Sequence, residues 1–165
     1  MIRVFYGADT FRSREAFRSA RKQVADQAGA PVVLLRDEAL TPVSLHTVAS
    51  GQTLFSASPP LAVERLTAFS GAHGTSIAQM LRTFPRRRML LVWEEGVPNV
   101  QGVVWKALKT AGKLEEFAPL SEAHVRSWVL TKLDGTGRTL ESAAAETLIE
   151  RGGTDLWRLS SELEK

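Results

Sequence analysis

The chain of 165 residues has no cysteine, one tyrosine and three histidines. Without thiols it cannot form disulfides, iron–sulfur clusters, thiolate zinc sites or cysteine nucleophiles, and such a composition fits a reducing compartment, the cytoplasm. His46, His73 and His124 are scattered with no HxxxH spacing, so the pattern offers no metal site. There is no Gly-x-Ser-x-Gly and no ordered Ser, His and Asp set, which leaves a hydrolase reading without support. Long apolar runs are missing as well. Runs such as Met89 to Trp93 are far too short to span a membrane, and the opening Met-Ile-Arg-Val-Phe-Tyr-Gly has no small-residue cleavage site. Strong charge bias is also lacking: 21 basic residues stand against 18 acidic ones, a net charge of +3. That excess serves solubility, and its arginine-rich make-up leaves nucleic-acid contact as a second reading.

What is present is an ordinary globular composition, 44% apolar and 24% charged, well mixed along the chain. Its length suffices for one α/β core with a small helical appendage. Ile2 to Tyr6 is a β-rich run ending at Gly7, after which Asp9 or Thr10 offers an N-cap for a helix reaching Gly29. Phe17, Ala20, Val24 and Ala28 recur along it at helical spacing, with Arg14, Arg18, Arg21 and Lys22 on other faces. The alternation then repeats. Pro31 to Leu35, Leu61 to Leu66, Met89 to Trp93 and Lys113 to Phe117 read as strands; Val43 to Ser50, Thr75 to Phe84 and Val103 to Ala111 read as helices. Apolar strands alternating with helices predict a five-stranded parallel sheet covered on both faces.

From Pro119 the strands stop. Helices are expected from Pro119-Leu120-Ser121-Glu122 with Val125, Trp128, Val129 and Leu133 in one stripe, from Leu140 to Arg151, and from Thr154 to Lys165 with Leu156, Leu159 and Leu163 inward. The expected division is therefore an α/β domain over 1–118 and a three-helix lid over 119–165.

A parallel sheet followed by a three-helix lid resembles the AAA+ ATPase module. Within that class, Ile2-Arg3-Val4-Phe5-Tyr6-Gly7-Ala8-Asp9, Thr53-Leu54-Phe55-Ser56, Phe117-Ala118-Pro119-Leu120-Ser121-Glu122, Val125-Arg126-Ser127-Trp128-Val129 and Gly153-Thr154-Asp155-Leu156 resemble, in order, landmarks of the delta subunit of DNA polymerase III. The resemblance implies a non-catalytic clamp-loader subunit that binds and opens the sliding clamp during DNA replication, in the bacterial cytoplasm and without a cofactor. It further implies a third, collar-forming domain absent from this chain, contact with other loader subunits through it, and only indirect contact with primed DNA. The segment alone is expected to be monomeric.

An ATPase of this layout needs Gly-x-x-x-x-Gly-Lys-Ser/Thr after the first strand. Gly7 matches the first glycine, but Arg12 falls at the second, Ser13 at the lysine and Arg14 at the magnesium-holding hydroxyl. The reading is a degenerate phosphate loop that binds no nucleotide. Glu64-Arg65 lacks an adjacent acidic pair, and Glu94-Glu95 reads as a solvated strand end. In the lid the γ-phosphate-sensing arginine aligns with Trp157, leaving Arg158 as a surface charge. Arg86, Arg87 and Arg88 form a basic loop, either a solvated run or a contact to DNA backbone.

Leu54-Phe55 alone reads as core. The resemblance instead makes this pair, with Gln52 upstream, the element that enters a hydrophobic pocket on the clamp. Burial of both side chains is worth on the order of 3–6 kcal/mol, enough to anchor an interface. The alternatives are an active AAA+ motor subunit and a stand-alone basic nucleic-acid-binding domain.

Overall fold

The computed structural model describes residues 1–50, 59–134 and 142–164. Five strands, β1 (Ile2–Tyr6), β2 (Val33–Leu35), β3 (Leu61–Glu64), β4 (Leu90–Trp93) and β5 (Gly112–Glu116), form one parallel sheet in the order β2-β3-β4-β1-β5. The expected α/β class with a five-stranded parallel sheet is what the chain adopts. β3 and β4 are buried along their whole length, which is why they carry near-continuous apolar residues rather than alternation.

One face of the sheet is covered by α1 (Thr10–Ala28), whose Phe17, Ala20 and Val24 pack on Phe5, Ala62, Leu91 and Trp93. Asp9 caps this helix by accepting from Arg12 N at 2.9 Å, and Gly29 closes it at φ +59, both as the sequence predicts. The other face receives α2 (Pro42–Ser50), α3 (Leu66–Phe69), α4 (Gly74–Thr83) and α5 (Val103–Ala111). Their Leu45, Leu66, Leu81 and Leu108 pack with Val4, Val63 and Val92. Thr41 opens α2 by accepting from Ser44 N through Oγ1 at 3.0 Å.

The third strand stops two residues short of the expected Leu66. Arg65 takes a left-handed conformation at φ +57, so the chain leaves the sheet there and Leu66 begins α3. A second compact unit, Ala118–Lys165, holds α6 (Glu122–Asp134), α7 (Ser142–Gly152) and α8 (Leu156–Leu163). Among its described residues Val125, Val129, Leu133, Leu156 and Leu159 are buried as expected, whereas Trp128 and Leu163, expected in the same stripes, are only half-buried. Asp155 caps α8 by accepting from Trp157 N and Arg158 N.

Candidate functional site

The turn after β1 lies where parallel α/β sheets place ligands, outside the carboxyl ends of strands whose onward connections diverge. β1 leads to α1 on one face, while its neighbour β4 leads to α5 on the other. Here that crevice is filled by the chain itself. Gly7 N donates to Gly96 O at 3.0 Å, Asp9 N to Phe117 O at 3.0 Å, Arg12 N to Asp9 Oδ1 at 2.9 Å and Ser13 N to Asp9 O at 3.2 Å. These four N–H groups are committed internally and do not point at a vacant anion cradle.

Gly7 has its own reason to be glycine. Its φ is +137, and a Cβ there would lie 2.7 Å from Phe117 N, overlapping the crossing backbone. Close chain packing is enough by itself to require glycine at this position. Ser13, at the lysine position, is fully buried; it accepts from Trp93 Nε1 at 3.0 Å and donates to Thr10 O at 3.2 Å. Arg12 reaches back to Asp9 at 3.3 Å.

Arg14, at the magnesium position, lies 4.9 Å over the Trp93 ring and 3.7 Å from the buried Glu64 carboxylate. The carboxylate that ends β3 thus already faces an internal cation. Among the described residues no three His, Asp or Glu side chains gather as a metal cluster.

Glu94 corrects an expectation. It is not a solvated strand end: only 2% of it is exposed, and it accepts from Thr67 N at 2.9 Å and from Thr67 Oγ1 at 2.5 Å. It continues β4 on the face of Val92, under α3, where it receives the first turn of that helix. Burial pushes its pKa up to about 7, against the hydrogen bonds from Thr67 and Leu66 that favour the carboxylate. Its neighbour Glu95 is exposed and lies 3.8 Å from Arg65.

The basic loop also divides. Arg86 and Arg87 are exposed, as a solvated run requires. Arg88 departs from the expected basic run, because its side chain turns inward with 8% exposed. Its Nε donates to Pro59 O at 2.8 Å, and its Nη1 donates to Ala49 O at 3.1 Å and to Val48 O. In one compact arrangement it joins the last turn of α2 to the entrance of β3, a role that sequence reading missed.

Gln52, Leu54 and Phe55 lie outside the described residues, between these two anchoring points. His46, His73 and His124 are not brought together: His73 stacks on Phe69 at 6.5 Å, and His124 hydrogen-bonds with Ser121 at 2.7 Å. In α8, Trp157 and Arg158 are both exposed.

No family model and no curated protein matches the chain. Among solved structures, the chain is similar to the Bacillus subtilis DNA clamp loader delta protein (YqeN), with a TM-score of 0.61 at 17% identity. That likeness covers 99% of this chain and 51% of the other, so the chain spans about half the length of its structural neighbour. The fold is clamp-loader-like.

Proposed function

We propose that the chain is a non-catalytic, clamp-engaging part of a DNA clamp loader. It binds a sliding clamp through Leu54 and Phe55, assisted by Gln52, and opens it during replication without binding or hydrolysing ATP. The observation that carries this reading is the strand-to-helix turn in a clamp-loader-like fold: its Gly7, Asp9, Arg12 and Ser13 N–H groups are all internally bonded, and Arg14 supplies the cation facing Glu64. A subunit of this kind does its work by binding free energy alone. It needs only to bind a clamp with a sprung interface more tightly than the closed ring.

Assembly with other loader subunits, through a collar domain, and residence with the replisome in the bacterial cytoplasm belong to the same proposal, as does a monomeric state for this segment alone.

Co-migration with the cognate sliding clamp on size exclusion tests the reading. The complex is expected equally with and without ATP and magnesium, and calorimetric titration with ATP is expected to be flat. A complex that forms only with ATP would contradict it.

The exposure of Arg86 and Arg87, which make no ion pair with the described residues, supports a second reading in which they touch DNA backbone. Binding of primed DNA by the chain alone, weakening steeply with salt, would favour it.

A further inference from the structure

We infer that one flank of α1 is a direct nucleic-acid contact, in which Arg18, Arg21 and Lys22 hold the phosphate backbone of duplex DNA. The contact is independent of base sequence and of whether the chain engages a clamp. Resemblance to delta subunits implies only indirect contact with primed DNA, so this surface goes beyond that resemblance.

α1 uses only part of its circumference to cover the sheet: Phe17, Ala20 and Val24 face Phe5, Ala62, Leu91 and Trp93. The helical rotation of about 100° per residue gathers Arg14, Arg18, Arg21 and Lys22 on one flank of what remains, and places the two acids of the helix, Glu15 and Asp26, beyond its Lys22 edge. Arg14, Arg18 and Lys22 follow at four-residue intervals, a row that advances about 6 Å per step, with Arg21 beside it. Arg14 already faces Glu64. Arg18, Arg21 and Lys22 make no ion pair with the described residues, and Arg18 and Lys22 are exposed.

The core holds Arg21 in place. Its guanidinium lies 5.7 Å from the Phe17 ring centroid, much as that of Arg14 lies over Trp93. Stacking engages the flat face of a guanidinium and leaves N–H donors at its edge. A side chain already ordered on a ring gives up less freedom when an anion arrives.

The surroundings decide between nucleic acid and an acidic protein surface. A protein interface is built around apolar anchors, with charge depleted at its centre. Beside the basic row α1 exposes Ser19, Gln23 and Gln27, and among the described residues it exposes no large apolar side chain. Serine and glutamine, like arginine, donate to phosphate oxygens. The row from Arg14 to Lys22 is about 12 Å long, a span over which duplex DNA presents about seven charges, and release of their condensed counterions drives such binding. Contacts to the backbone carry no base information, so binding blind to sequence is expected.

The test uses the whole chain in anisotropy titrations with a labelled duplex of about 20 base pairs, between about 50 and 200 mM salt. Arg18→Gln, Arg21→Gln, Lys22→Gln is expected to lose affinity about tenfold or more at low salt, and about 2.7 from the slope of log K against log salt, since each phosphate contact contributes about 0.9. Arg18→Gln, Lys22→Gln alters exposed side chains alone and is expected to lose about 1.8 from that slope, an arm that survives if the triple variant is misfolded. Arg86→Gln, Arg87→Gln is expected to change affinity less than about twofold, which separates this flank from the basic loop. Acetylation of the parent needs no substitution: duplex is expected to slow the reaction of Lys22 severalfold, while exposed Lys106 and Lys109 on α5, which covers the other face of the sheet, react as before.

A parent that does not bind duplex, unchanged affinity in the α1 variants, a greater loss in the Arg86/Arg87 variant, or a Lys22 protected no better than Lys106 and Lys109 overturns the inference. So does polyglutamate of equal total charge that displaces the duplex as well as unlabelled duplex does, a result that assigns the flank to an acidic protein.

Discussion

Trp93 Nε1 donates a 3.0 Å hydrogen bond to Ser13 Oγ, and both side chains are buried at the point where β4 meets α1. A phosphate loop would need a lysine at position 13, free to swing towards a ligand. Restoring it by Ser13→Lys is expected to force an ammonium and its stem into space already filled by Trp93. The expected cost is about 3 kcal/mol or more in urea denaturation, with no ATP binding gained in calorimetry. A stable variant that bound ATP would show that the turn is a nucleotide site lacking only its lysine.

Gly7 is expected to be intolerant of a side chain for reasons of chain packing alone. Gly7→Ala must place a Cβ against the Phe117 backbone from a φ of +137. The expected loss is about 2–4 kcal/mol of unfolding free energy, read from the urea midpoint. Clamp affinity is expected to be unchanged wherever the variant is folded.

Glu94 should make stability depend on pH. Its folded pKa, about 7, is raised above the ordinary value of 4.5, chiefly by burial. The folded state therefore binds a proton more tightly than the unfolded one. Its contribution is fully present below about pH 4.5 and is lost as pH rises through 7, by on the order of 3 kcal/mol. Glu94→Gln keeps the shape without the charge. Its stability relative to the parent is expected to improve steadily between pH 5 and pH 8 in paired denaturation curves. A constant difference across that range would mean that Glu94 is an ordinary carboxylate.

The alternation of strand and helix was legible because each element carries its own period. The Asp9 cap and the Gly29 stop were legible because only a few residue types serve there. Glu94 and Arg88 were hidden for a shared reason. Glu94-Glu95 and Arg86-Arg87-Arg88 look uniform in sequence, yet one residue of each run is buried and the others are exposed. Register decides which: Glu94 follows the pleat of β4 under α3, and Arg88 is turned by the Met1 and Pro85 contacts. These are tertiary facts with no local signal. Arg65 hid the end of β3 because a left-handed arginine has no sequence signature, whereas a glycine there would have announced the turn.

The central claim is that Leu54 and Phe55 hold a sliding clamp without nucleotide. The most direct measurement is the dissociation constant for the cognate clamp, without ATP, of the parent and of Leu54→Ala, Phe55→Ala, together with the melting temperature of each. The account predicts a loss of about two orders of magnitude in affinity with a nearly unchanged melting temperature. Normal clamp binding by a variant destabilised through core cavities would contradict it.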